Sequence, residues 1–264
     1  MTKLEQQLQK IKLIKKTGLM THVVIGYPSL EETVSLVETM AANGADIIEL
    51  QIPFSDPLAD GPTIMRACEQ SLANGTKVKD AFVIMKKLSQ TVSVPLLFMA
   101  YYNTVFRYDV EKFCKDAKDA GAAGLIVPDM AIEEEKEEHF LQYCKKYGLH
   151  NIQVISPAST DDRLKKNAAI ANGFVYCTAR QGITGAKENL SNDLSDFLQR
   201  VRKFFTIPIA VGFGISKKEH VEALIGHSDI AVIGSAILDV ITKTKKEERE
   251  NAVKKFLSAL DKPA

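Results

Sequence analysis

The chain has 264 residues, 45% of them hydrophobic and 25% charged, enough to bury a full core and typical of an ordinary soluble protein, for which one large α/β domain fits as well as two small ones. A formal net charge of +1 gives no long-range attraction toward polyanions, so neither nucleic acid nor a membrane surface is an expected partner, and a small molecule is. The four cysteines, Cys68, Cys114, Cys144 and Cys177, have no paired spacing for a zinc site or a redox dithiol, and they read as reduced and structural.

The first stretch, 1–18, has no continuous apolar core or cleavage signal and carries Leu4, Leu8, Ile11 and Ile14 at helical spacing. It predicts a leading amphipathic helix, and the chain is expected to be cytoplasmic. No apolar run approaches the roughly 18 residues of a membrane helix. Short β-branched runs then alternate with longer amphipathic ones. Strands are predicted at 21–25, 46–52, 96–100, 124–127, 151–155, 174–178, 209–212 and 230–233. Helices are predicted at 30–42, 63–73 with 78–89, 110–120, 132–147, 161–171, 194–205, 217–224 and 236–260, with start signals such as Ser29-Leu30-Glu31-Glu32 and Ser216-Lys217-Lys218-Glu219. Strand followed by helix, repeated around a closed set, predicts an α/β fold: a (β/α)8 TIM barrel spanning 1–264 as a single domain, with the additional N-terminal helix over its N-terminal face. An open doubly wound sheet is the competing architecture, but the turn after its first strand would carry G-x-G-x-x-G, and here it is Gly26-Tyr27-Pro28-Ser29.

In such a barrel the chemistry sits at the C-terminal ends of the strands. Period-two alternation puts Ile47, Glu49 and Gln51 on one face of the second strand and Ile48, Leu50 and Ile52 on the other. The fully apolar set suits the helix-covered outside, so Glu49 is expected to point inward. Its structural alternative is a carboxylate paired with a buried cation, but no Lys or Arg occurs in any other predicted strand. An inward carboxylate without such a partner is a candidate acid and base. Asp56 and Asp60 follow on a Pro-rich loop, where Asx-turn chemistry is the plainer reading.

Two Gly-rich turns follow the last two predicted strands: Gly212-Phe213-Gly214-Ile215-Ser216, and Gly234-Ser235-Ala236, which opens a helix. Each alone could be a tight turn. Together, at the positions where barrels bind phosphate, they point to a phosphorylated substrate. The stretch 179–186, Ala-Arg-Gln-Gly-Ile-Thr-Gly-Ala, suits either a lid or a surface loop. A Schiff-base aldolase needs a strand-end lysine, and a metal aldolase needs converging histidines. Neither set is found: His22 starts a predicted strand, and His139, His150, His220 and His227 fall on helices or bottom-face connections, so no metal site is expected.

Glu49-Leu50 followed by Pro53-Phe54-Ser55-Asp56-Pro57-Leu58-Ala59-Asp60-Gly61-Pro62 resembles the hallmark motif of the tryptophan synthase α subunit family. Tyr102-Asn103, Gly124-Leu125-Ile126-Val127-Pro128-Asp129, Gly182-Ile183-Thr184-Gly185, Gly212-Phe213-Gly214-Ile215-Ser216 and Gly234-Ser235 extend the resemblance over essentially the whole chain. It implies a lyase that cleaves indole-3-glycerol phosphate by a retro-aldol reaction to indole and glyceraldehyde 3-phosphate. By family likeness Glu49 would shuttle protons between indole C3 and the glycerol hydroxyl, and Asp60 would accept a hydrogen bond from the indole N–H. Gly185, Gly214, Gly234 and Ser235 would hold phosphate. Tyr176, Phe213 and Leu125 would wall the indole, and Thr184 would position Asp60 from the lid.

The resemblance also implies an α2β2 complex with a β subunit. Asp56, Pro57, Tyr102 and Asn103 would face that partner, and this chain would have no cofactor, pyridoxal phosphate belonging to β. Against the family pattern, Gln51 stands where Gly is usual, on Glu49's face and nearer the mouth, where it would crowd the pocket or hydrogen-bond Glu49. Thr104 stands where Pro is common, Met130-Ala131 where a Pro is expected, and Ala179 where Ser usually precedes Arg. A free-standing lyase and an inactive α-like binding subunit are the competing functions.

Overall fold

A computed structural model describes residues 1–14, 17–179, 183–184 and 189–260; for 183–184 and 189–190 it describes the backbone. Eight parallel strands close into a barrel: β1 Gly18–Val24, β2 Ile47–Gln51, β3 Leu96–Met99, β4 Gly124–Ile126, β5 His150–Ile155, β6 Val175–Thr178, β7 Ile209–Gly212 and β8 Ile230–Ile233. Each pairs with its sequence neighbours, and β8 pairs with β1 to close the ring. This is the predicted TIM barrel, and the open-sheet alternative is excluded. An antiparallel pair of two-residue strands, Ile183–Thr184 and Asn189–Leu190, lies between β6 and β7.

Alternation along the strands builds two apolar layers. Outward residues such as Leu50, Phe98, Val175 and Val211 pack under the helices, whereas Met20, Ile47, Leu97, Ile126, Ile152 and Ala210 fill the barrel. The leading helix, Lys3–Ile14, lays Leu4, Leu8 and Ile11 into that inner set beside Phe174, plugging the N-terminal end as expected; Ile14 stays exposed. The predicted helix 30–42 appears with its cap, the Ser29 hydroxyl accepting from Glu32 N at 3.1 Å. Two long predictions break. The span 132–147 becomes a 3-10 turn and the short helices Glu135–Glu138 and Phe140–Tyr147, divided at His139, whose φ is +53°. The span 236–260 splits into Ser235–Lys243 and Arg249–Ala259 around extended Thr244. A helix that was not predicted, Tyr102–Tyr108, follows β3.

The outer layer contains an aromatic cluster in which Phe82 meets Phe98 at 5.6 Å and Phe113 at 5.4 Å between ring centroids, both edge to face. Phe98 is fully buried, so Phe98→Ala should cost about 3–5 kcal/mol in urea unfolding, largely from the cavity left between β3 and its helices. All four cysteines are free and buried.

Candidate active site

The barrel's C-terminal mouth gathers the carboxylates. Glu49 is 2% exposed and points inward, as its alternation predicts. It does have a partner, which corrects the expectation of an unpaired group. The β1–β2 register sets His22 opposite Glu49, and Nδ1 of the buried imidazole lies 3.3 Å from Glu49 Oε2. β1 begins three residues before its predicted start, so His22 sits in mid-strand and faces the axis. Burial disfavours the imidazolium, but the charge of Glu49, with Asp60 and Gln51 adding to it, prevails, and the His22 pKa is raised above its ordinary 6.5.

Two residues beyond Glu49 and on the same face, fully buried Gln51 reaches the loop beyond β2 and donates from Nε2 to Asp60 Oδ2 at 2.7 Å. Tyr101, at the end of β3, donates to the same oxygen at 3.0 Å and accepts from Ala59 N at 3.0 Å. Its ring stacks on Phe54 at 5.2 Å, tying the β2 and β3 loops together. Asp60 is thus held from two sides through Oδ2. Burial raises its pKa, against the His22 charge and the Gln51 and Tyr101 hydrogen bonds, which lower it. Tyr176 on β6 faces the same space; burial first, then Glu49 and Asp60, hold its hydroxyl well above the usual tyrosine range. A Cβ on Gly212 would lie 3.2 Å from Tyr176 Oη, so the glycine makes room for that ring.

Across the mouth, Gly214 has φ +86°, a conformation that favours glycine, and a side chain there would meet nothing within 4 Å. Gly234 caps the helix Ser235–Lys243 with no side-chain hydrogen bond. Helix bonding begins at Ile237 N to Gly234 O, so the first amides of the helix are offered at the mouth.

Two candidates for the indole wall, Leu125 and Phe213, lie in the sheet–helix layer. Leu125 is paired with Phe98 across β3–β4 and shares its outward face in the sheet–helix layer; its side chain does not wall the mouth, and the next residue, Ile126, faces the axis instead. Phe213, one position past inward Gly212, packs in the outer layer with its ring 6.2 Å from that of His220. Asp56 is exposed, but Pro57 beside it is buried, and the outward residue is Leu58 at 93% exposure. Asn103 is exposed; Tyr102 is half-buried, its hydroxyl bonded to Glu138 and its backbone N–H donating to Asp129 at 2.7 Å. Gly185 lies outside the described residues, as do Arg180–Gly182 and Ala186 of the lid stretch; of Thr184 the strand backbone alone is described. Among the described residues, no three His, Cys, Asp or Glu side chains gather as a metal site.

A family model described as the tryptophan synthase alpha chain matches residues 8–262. The chain belongs to this family. The tryptophan synthase alpha chain of Desulfotalea psychrophila is 44% identical over 257 residues, covering 97% of this chain and 99% of that one. That of Methanocaldococcus jannaschii is 41% identical over 242 residues, 91% of this chain and 85% of the relative. Among solved structures, aminoacrylate-bound tryptophan synthase from M. tuberculosis superposes with a TM-score of 0.88 at 27% identity, covering 98% of each chain. A mutant tryptophan synthase alpha-subunit from Pyrococcus furiosus gives 0.84 at 32%, covering 93% of this chain and 98% of that one. Sequence reasoning missed three residues at this family site: His22, Tyr101 and Ile126. For Ile126 the signal was present, since it is the neighbour of Leu125 on the alternate face of a three-residue strand.

Proposed function

We propose that Glu49 and Asp60 carry the α reaction of tryptophan synthase in this chain, the retro-aldol cleavage of indole-3-glycerol phosphate to indole and glyceraldehyde 3-phosphate. As a member of its family the chain is a lyase of tryptophan biosynthesis. The observation that supports these two residues is their arrangement: one carboxylate buried on the barrel axis, and a second above it, fixed through one oxygen by Gln51 and Tyr101.

A proton delivered to indole C3 turns the ring into an electron sink with positive charge at N1. Removing the proton from the hydroxyl on the attached glycerol carbon lets the carbon–carbon bond break, the electron pair returning to the ring and the carbon leaving as an aldehyde. One carboxylate can take the hydroxyl proton and pass it to C3, ending each turnover ionised as it began, and Glu49 is suited to this by its inward position. Asp60, with Oδ2 taken by two donors, has Oδ1 to accept the indole N–H and offset the charge that develops there. Tyr176 and Ile126 form apolar walls, and Gly214, Gly234 and Ser235 offer amides to the phosphate. The roles of Thr184, on the lid, and Gly185, at the phosphate, rest on the family resemblance.

The partner is the β subunit, meeting the face that carries Asp56, Leu58 and Asn103; pyridoxal phosphate stays with β. No helix among the described residues is long and apolar enough to cross a membrane; the family's role in tryptophan biosynthesis supports a cytoplasmic location.

Indole release from indole-3-glycerol phosphate, measured on the purified chain and again with β subunit added, tests this reading. Release that β accelerates is expected. Equal, rapid release without β would make the chain a free-standing lyase, and no release under either condition would make it a binding subunit. The pH profile adds a check. Asp60 stabilises developing positive charge when ionised, and its pKa is raised, so kcat/KM should fall as pH drops through a limb lying above the ordinary aspartate value of 3.8. Asp60→Asn should remove that limb.

A further inference from the structure

Three polar atoms inside the barrel, each buried, have no hydrogen-bond partner among the described residues: Glu49 Oε2, His22 Nε2 and Gln51 Oε1. They belong to three neighbouring side chains, and their chemistry is complementary. Gln51 must turn its Nε2 toward Asp60, which as a carboxylate accepts and does not donate, so its Oε1 is left as an acceptor. Glu49 Oε2 is an acceptor 3.3 Å from His22 Nδ1. A neutral imidazole donates from one nitrogen and satisfies one of these acceptors; an imidazolium donates from both and satisfies both. Leaving them unmet inside the barrel would cost stability at each atom.

We propose that His22 is held as an imidazolium between the two carboxylates, Nδ1–H donating to Glu49 and Nε2–H to Gln51, so that Glu49, His22, Gln51 and Asp60 form one hydrogen-bonded chain. His22 is then a positioning residue: it fixes one Glu49 oxygen and, through Gln51, one Asp60 oxygen, and it places a positive charge between the two carboxylates. The charged groups facing it are Glu49 from β2 and Asp60 from the loop beyond. Tyr176 on β6 faces the same two carboxylates as a neutral phenol, and the turn after β8 presents uncharged Gly234, where an added Cβ would lie 3.8 Å from His22 Cβ. Gln51, which the chemistry of the motif did not require, becomes the link that joins the two reactive groups.

The catalytic part of this inference rests on the proposed lyase reading; the bridge itself does not. The 15N spectrum of the histidines in the full chain reads the bridge directly. At about pH 7.5, where an unperturbed imidazole is mostly neutral, His22 should show two protonated nitrogens. Glu49→Gln should return it to the neutral form, and Gln51→Met should shift Nε2 alone. A neutral His22 in the unaltered chain would overturn the proposal whatever the activity. In the indole-release assay, kcat/KM of the unaltered enzyme should decline at alkaline pH as the imidazolium loses its proton. In His22→Gln that alkaline limb should vanish, and the acid limb should move to higher pH as Asp60 loses its neighbouring cation. An active wild type with a His22→Gln profile unchanged at both limbs would refute the positioning role and leave the lyase reading standing. Absence of indole release from the wild type would instead strike the lyase reading.

Discussion

Glu49→Gln is expected to slow single-turnover indole formation by about 10²–10⁴-fold, the range lost when a positioned acid–base group is removed. The substitution keeps shape and volume in a site where the side chain is 2% exposed, so packing changes little. What it removes is proton exchange. An amide cannot give a proton to indole C3 or take one from the glycerol hydroxyl, and no other carboxylate lies on the inward faces of the barrel strands. Asp60 is held on the loop beyond β2 by Gln51 and Tyr101 and is poorly placed to substitute. KM should move little, since the phosphate is proposed to bind backbone amides in the turns after β7 and β8, which the substitution leaves in place. A rapid-quench rate within tenfold of wild type, in a variant with an unchanged circular dichroism spectrum, would remove Glu49 from the proton transfers.

Asp60→Asn should lower the same rate by about 10²–10³-fold, as for loss of an electrostatic group aimed at developing charge. The local geometry makes this isostere more disruptive than its size suggests. Gln51 Nε2 and Tyr101 Oη both donate to the position of Oδ2, so the asparagine must present its carbonyl oxygen there. Its NH2 then turns toward the substrate and meets the indole N–H donor to donor. A substrate analogue methylated at the indole nitrogen is the matching control. It should react slowly with wild type and lose little further with Asp60→Asn, because the interaction is already gone. Independent, multiplying losses would mean that Asp60 acts elsewhere.

The barrel was legible in the sequence because most strands are buried on both faces and most of the longer helices on one, so apolar runs and amphipathic stretches mark the repeats. Where local signals were short, phase was lost. β4 has three residues, too few for alternation to say which way Leu125 faces, and pairing with Phe98 decides it. Phe213 stands just past β7, where strand periodicity no longer applies. Glu49 could be placed inward because the apolar face of its own strand defined the other side. Its partner could not be found, since a lone histidine among apolar residues has no periodic signature and the His22–Glu49 contact exists only in the register between two strands. Tyr101 was hidden for a related reason: its role comes from stacking on Phe54 and reaching Asp60 across two loops. The predicted Ser216 cap is not used either; the helix after β7 starts at Lys218, with Lys217 as its cap.

The most direct test of the central claim is the crystal structure of Glu49→Gln with indole-3-glycerol phosphate bound, a complex in which turnover is too slow to consume the substrate. The predicted density places the indole N–H on Asp60 Oδ1 and C3 with the glycerol hydroxyl beside residue 49, and puts the phosphate at Gly214, Gly234 and Ser235. An indole ring outside the barrel mouth, or a phosphate away from the start of the helix Ser235–Lys243, would contradict it.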